Sequence, residues 1–217
     1  MSRFYSGLIF IVIALSISLA GCTDPAAGKA KAITKEATAV AATSNTIESE
    51  KIKITAEGSK LTFIGSHIGS AITGGQQGAF EKFSGTITLL NAKPENSQVA
   101  VEIEMSSVTT QSGGLAQHLK TPDFFDVAKY PKATFISTEI KPSSEKGATH
   151  LVTGNLELHG VKKAITFPAK IEVTKDAVVV NSEFTINRKD FGMTYDSQTI
   201  RDEVVLKLAV RASRSKS

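Results

Sequence analysis

Leu19-Ala20-Gly21-Cys22 has the most chemically specific spacing in this 217-residue chain, because the only cysteine follows two small residues at the end of an apolar segment. The pattern is that of a lipobox, in which the thiol is diacylated, the peptide is cut before the cysteine, and Cys22 becomes a lipidated N-terminus. Arg3 supplies a positive flank, and residues 7–20 form an apolar run broken only by serines. That run has the size of a secretory h-region and is too short to span a bilayer comfortably. An odd cysteine in an exported chain is otherwise unusual. Residues 1–21 therefore read as a lipoprotein signal peptide, and Thr23 after the cysteine favours the outer over the inner membrane of a bacterial envelope, with the protein facing the periplasm.

The other reactive side chains do not assemble into a catalytic set. Ser66 and His67 are adjacent, so on a strand they point to opposite faces. There is no Gly-x-Ser-x-Gly elbow, P-loop or Gly-x-Gly-x-x-Gly turn. The four histidines stand far apart in the sequence without metal-ligand spacing. Neither a metal nor any other cofactor is called for, and an enzyme is the weaker reading.

Positioning falls to a single domain. Without a disulfide framework, residues 51–213 must be held by their own core, and their length suits one domain. The net charge of +4 is evenly spread, which argues against a nucleic-acid partner. Tryptophan is absent and the 11 phenylalanines mostly fall in alternating segments, so they face an interior rather than form a stacking platform. Residues 22–50, rich in Ala, Thr, Lys, Glu and Ser, bury too little to order themselves and read as a disordered tether. On propensity alone, a short helix over 30–42 is the one element they offer.

From Ile52 the dominant period is two. Ile52 and Ile54, Leu61 and Phe63, Val99 to Met105, Phe184 and Ile186, and Val204 to Val210 alternate with polar neighbours, as half-buried strands do. Residues 83–90, 133–140, 151–158, 164–173 and 177–180 add further strands, with turn signals near 93–96, 143–147, 160 and 175–176. The expectation is an all-β fold, an extended eight-stranded antiparallel lipocalin-like barrel, since closure removes exposed edges and encloses a lumen. Leu115 and Leu119, four apart within 113–120, predict one short helix over an end or side of the barrel.

Five blocks then carry a family resemblance. They are Ile52-Lys53-Ile54 with Ser59 to Phe63; Gly78-Ala79-Phe80 with Phe83-Ser84-Gly85; His118-Leu119-Lys120 through Asp123-Phe124-Phe125-Asp126-Val127 to Lys129-Tyr130-Pro131-Lys132-Ala133-Thr134-Phe135; Gly154 to Val161; and Arg188 to Met193. In order and spacing the domain resembles the YceI family of lipocalin-like, polyisoprenoid-binding proteins. The resemblance implies a barrel whose elongated pore takes up an isoprenoid chain. Thr55, Gly58, Leu115 and Ala116 depart from that family's polar pattern, which bears on the head group rather than on the pore.

A lumen lined by Phe, Ile, Leu and Val reaches the same ligand class by chemistry, since each buried methylene contributes about 0.8 kcal/mol. The candidate lining is Phe63, Phe83, Ile87, Val101, Ile103, Phe135, Leu156, Phe167, Phe184, Ile186 and Leu206. His118, Asp123, Arg188 and Asp190 are candidates for a pore mouth facing a polyprenyl phosphate or quinone, because a guanidinium offers paired donors to such oxygens. The competing role for these four is to hold loops: Arg188 by pairing a nearby carboxylate, His118 and His159 by bonding backbone, with Gly192 permitting a turn. The function expected is sequestration or carriage of an isoprenoid-type lipid, against the alternatives of a tethered interaction barrel without ligand or a lipid-modifying enzyme.

Overall fold

The computed structural model describes residues 24–39, 49–69, 75–196 and 198–214. The signal segment, Cys22 and part of the expected tether lie outside them. The strands are β1 (Ala30–Lys31), β2 (Ile33–Glu36), β3 (Ser49–Thr55), β4 (Lys60–Gly65), β5 (Gln76–Phe80), β6 (Phe83–Leu90), β7 (Lys93–Glu104) and β8 (Val108–Thr110). Helix α1 (Gly113–Leu119) is followed by β9 (Lys132–Pro142), β10 (His150–Leu158), β11 (Val161–Val173), β12 (Ala177–Asn187) and β13 (Glu203–Ser213).

Register shows how these segments make a barrel. The run β3–β4 lies antiparallel to β5–β6, with Ile54 opposite Gly85 and, past a bend, Leu61 opposite Phe80. Gly58 occupies that bend at φ +82°, a left-handed conformation that a side chain would strain, so glycine meets a backbone need here. In the same way β7–β8 continues along β5–β6 past a turn of 3-10 helix at Met105–Ser107. Glu81 N donates to Ser107 O at 3.3 Å and Glu104 N to Lys82 O at 2.9 Å, which stitches the two halves together. Counted as continuous runs, β3–β4, β5–β6 and β7–β8 join β9 to β13 as eight wall strands. The ring closes where β13 pairs with β4. The predicted fold class is therefore the observed one, with short segments joined into longer bent strands. Residues 177–180 and the Phe184–Ile186 pattern belong to one strand.

The expected tether does not hold as drawn. Ala30 and Lys31 pair in parallel with Phe184 and Thr185, and Ile33 to Glu36 pair antiparallel with Thr166 to Lys163. β11 and β12 pair directly only over Lys170–Val173 and Val178–Asn181. Beyond that their edges diverge, and the N-terminal run fills the gap as a strap. Thr38 N donates to Asn155 Oδ1 at 2.9 Å and Asn155 Nδ2 donates to Thr38 O at 2.7 Å, tying the strap's end to β10. The physical reason is that two buried strand edges require backbone partners, which polar residues supply as well as apolar ones. The same demand overrides the helical propensity of 30–42.

Alternation along the strands puts one apolar face inward. The largest cluster joins Ile140, Val152, Leu156, Ile165, Phe167, Phe184, Ile186, Phe191 and Met193, and a second joins Ile52, Ile54, Leu61, Phe83, Ile87 and Leu89. Helix α1 is capped by Ser112, whose hydroxyl accepts from Leu115 N, and it buries Ala116 and Leu119.

Candidate functional site

The barrel interior is incompletely filled. Two cavities of about 160 and 170 Å³ lie within it, and Phe80, Ile103, Leu156 and Leu206 line both. They form the waist of one elongated apolar lumen. The upper chamber, beneath α1 and the loop after it, is bounded by Phe63, Leu119, Phe124, Phe125, Ile186 and Met193. The lower chamber is bounded by Ile54, Ile87, Val101, Phe135, Phe167, Phe184 and Leu208. A broader depression of about 700 Å³ lies outside the lumen, among Lys29, Glu145, Lys146, Lys170, Glu183 and Lys207, and its charged lining suits water rather than a lipid tail.

Local sequence makes the room. Gly78 stands opposite Phe63 on the neighbouring strand, and a Cβ there would meet the Phe63 ring at 2.2 Å. The missing side chain lets that ring lie flat over the strand. Phe63, Phe80 and Phe125 then pack as a triangle with centroids 5.6, 6.0 and 5.8 Å apart. Tilted and edge-on geometry of this kind suits aromatic quadrupoles.

Ten of the eleven candidate lining residues border the two chambers: Phe63, Ile87, Val101, Ile103, Phe135, Leu156, Phe167, Phe184, Ile186 and Leu206. Phe83 does not. It has the inward phase and stands opposite Ile103, but it packs with Ile52, Ile54 and Ile87 in the second cluster without bordering either chamber. Among the lining residues that the candidate set lacked, Phe80 shares a face with Gly78, a period-two signal too short in the sequence to stand out, whereas Phe124 and Phe125 enter from a loop with no periodicity.

The polar candidates separate into distinct roles. Arg188 is 3% exposed and spends its guanidinium on the protein. Nε donates to Arg201 O at 3.1 Å, Nη1 to Met193 O at 2.7 Å, and Nη2 to Ile200 O at 3.2 Å and Asp202 Oδ1 at 3.4 Å. Burial pushes its pKa below the ordinary arginine value, while the carboxylates of Asp202 and Asp196 act in the opposite sense. Asp190 is exposed, and the carboxylate paired with Arg188 is Asp202. Arg188 borders the upper chamber, whereas Asp190, like His118 and Asp123, borders neither chamber, so the turn from Arg188 to Phe191 separates the expected pair: Arg188 faces the interior and Asp190 the solvent. Gly192 ends that turn at φ +76°.

His118 Nε2 and Asp123 Oδ2 are 2.8 Å apart, both about two-fifths exposed, so His118 bonds a carboxylate rather than loop backbone. The His118 ring packs with Phe124 and Tyr195 at centroid distances of 5.1 and 5.4 Å, beside the upper chamber. His159 Nδ1 donates to Phe191 O at 3.1 Å.

A closed antiparallel barrel with a divided apolar lumen and a helix at one end defines a class of small β-barrel proteins built around an internal cavity. The chain belongs to the YceI-like family, whose domain matches residues 52–212. It is 37% identical over 134 residues to a UPF0312 protein of Pseudomonas putida, covering 59% of this chain and 67% of that relative. A UPF0312 protein of Pseudomonas syringae pv. syringae is 39% identical over the same coverage. Among solved structures, the Campylobacter jejuni YCEI protein superposes with a TM-score of 0.57 at 28% identity, covering 64% of this chain and 85% of that one. The fold is shared more distantly with Burkholderia cenocepacia BcnA, at TM-score 0.65 and 24% identity, covering 73% and 99% of the two chains. A polyisoprenoid binding domain from Saccharophagus degradans shares it at TM-score 0.59 and 16% identity, covering 78% and 100%.

Proposed function

We propose that this protein sequesters or carries an isoprenoid-type lipid in the bacterial cell envelope, burying the tail in its barrel lumen. The observation that carries this reading is the divided apolar lumen meeting at Phe80, Ile103, Leu156 and Leu206. Together the chambers reach about the lower end of the 300–1,000 Å³ usual for small-molecule sites. An isoprenoid tail offers apolar surface along its whole length and asks for no hydrogen bonds, which suits such walls. The name of the Saccharophagus degradans domain points to the same ligand class.

The head group, a phosphate or a quinone, rests at the upper end beside His118 and Asp123. Arg188 borders the same chamber but serves as scaffold, because its hydrogen bonds go to protein carbonyls and Asp202. No residue is assigned a catalytic role, and binding needs no metal or cofactor. Cys22 carries the lipid anchor after removal of residues 1–21, holding the barrel on the periplasmic side of the outer membrane.

Organic extraction of protein purified from its own membranes, followed by mass spectrometry, tests the reading. A stoichiometric polyprenyl lipid is expected, and Ile103→Trp, which fills the waist, lowers its amount at least tenfold while the fold persists. Absence of lipid from the folded wild type overturns the carrier and favours an interaction barrel; chemical conversion of added lipid identifies an enzyme. Separately, Cys22→Ala abolishes fatty-acid labelling if the anchor is correctly assigned.

A further inference from the structure

We propose that the upper rim of the barrel is a bilayer-docking surface, and that the N-terminal strap holds the lumen's upper end against the membrane carrying the Cys22 acyl chains. The proposal rests on the lipoprotein assignment above and adds an orientation to it.

The strap leaves little slack. Asp24 lies two residues after Cys22, so their Cα atoms are at most about 7.6 Å apart at about 3.8 Å per step. Asp24 Oδ2 is 3.1 Å from Arg201 Nη1, and Arg201 lines the upper chamber while its N–H donates to Ser66 O at 2.9 Å. Pro25 packs over Gly75, its Cγ 3.2 Å from where a side chain would begin, and Gly75 adjoins Gly65 of the same chamber. From Ala30 onward the chain is hydrogen-bonded into the wall, and Lys29 and Lys31 add ion pairs to Glu183 and Glu203 at 2.9 and 2.7 Å. A freely roaming tether would have left the barrel's orientation open; this geometry fixes which end adjoins the acylated residue.

The rim has the side chains for that position. Among the described residues, the large apolar groups counted as exposed are Ile33, Ile68 and Tyr195. Ile33 is on the strap, and the other two flank the upper chamber. Ile68, 53% exposed, donates its N–H to Thr199 O beside Ile200, which lines the chamber. Tyr195, 39% exposed, packs on Phe124 at 5.2 Å. The turns at the far end, around Asn91, Glu145 and Lys175, contribute none of these exposed groups. Aliphatic and tyrosyl side chains of this kind suit the headgroup boundary of a bilayer. A bilayer is the occupant selected, because acylation brings one to within two residues of Asp24. An isoprenoid tail then passes between membrane and lumen without crossing water.

The chain contains no tryptophan, so single probes read position directly. Full-length acylated Ile68→Trp, Tyr195→Trp and Lys175→Trp proteins are reconstituted into phosphatidylethanolamine–phosphatidylglycerol vesicles carrying brominated acyl chains. Flotation should recover all three with the vesicles, with the Ile68→Trp and Tyr195→Trp emissions quenched at least twofold more than that of Lys175→Trp. Inserting ten Gly/Ser residues between Thr23 and Asp24 should preserve flotation and lower rim quenching at least twofold. Flotation with equal quenching at both ends, or rim quenching unchanged by the insert, overturns the docking geometry while leaving the anchor intact. Failure to float together with an unacylated mass overturns the anchor and the docking proposal with it. Rim emission that is buried by self-association rather than quenched by bromine assigns the rim to a second copy of the chain and also overturns the proposal.

Discussion

The rings of Phe167 and Phe184 stack 4.2 Å apart, within 8° of parallel, beneath the place where β11 and β12 separate to admit the strap. Outside, Ala30 pairs with Phe184 and Ile33 with Thr166. Ala32, between them, packs against the cluster containing both rings. The gap in the wall is thus bridged twice, by ring on ring inside and by backbone hydrogen bonds in the wall itself.

Phe184→Ala should cost about 3–5 kcal/mol, the usual penalty for truncating a buried phenylalanine. A double-mutant cycle with Phe167→Ala should return a coupling of about 0.5–1.5 kcal/mol if the stacked pair contributes beyond its buried area. Urea unfolding of the four proteins measures both, and strictly additive costs would show that each ring acts alone.

The wall was legible because its strands are half-buried. Val204 to Val210 and Phe184 with Ile186 alternate cleanly, and the inward phase read from them places ten of the eleven chosen residues around the lumen. Phase alone does not tell which inward side chains border open space and which are covered by their neighbours, so Phe83, opposite Ile103, has the inward phase without bordering the lumen. The strap was illegible for a different reason: Lys31, Lys35 and Glu36 join the sheet through backbone, and a hydropathy pattern records side chains. Asp202 as the partner of Arg188 likewise depends on β12 and β13 meeting, which places Asn187 opposite Glu203. No local spacing announces that pair.

Arg188→Ala should lower stability by about 3 kcal/mol, since it strands the carbonyls of Met193, Ile200 and Arg201 that the guanidinium now satisfies. Arg188→Lys should recover less than half of that, because an ammonium cannot reproduce the planar fork. Melting curves read the effect. Lipid retained per folded molecule should stay at the wild-type level, and selective loss of anionic isoprenoids from a normally stable Arg188→Ala protein would reassign the residue to the head-group site.

Thr185→Val should be neutral or stabilising by up to about 1 kcal/mol. Thr185 is 1% exposed, and its buried hydroxyl has no hydrogen-bond partner among the described residues. Valine keeps the branched shape and removes the cost of the stranded polar atom. A clear loss of stability in chemical denaturation would mean that the hydroxyl has a partner, such as a bound water.

Acid should loosen the strap through Glu183. Its carboxylate meets Lys29 of the strap at 2.9 Å and Lys207 at 3.1 Å, and the hydrogen bond from Lys29 is the largest cause holding its pKa below the ordinary glutamate value. A carboxyl group with a depressed folded-state pKa contributes stability that is fully present above its unfolded value of about 4.3 and is lost as pH falls through the lower folded value. The Ala32 amide, which donates to Thr185 O at 2.8 Å, reports on this region. Its hydrogen-exchange protection, corrected for the intrinsic pH dependence of exchange, should hold from pH 7 to about 5 and decline below about 4.3. Glu183→Gln should begin with lower protection and lose most of that decline, because it has no proton to take up there. An equal acid response in both proteins would show that Glu183 does not control the strap.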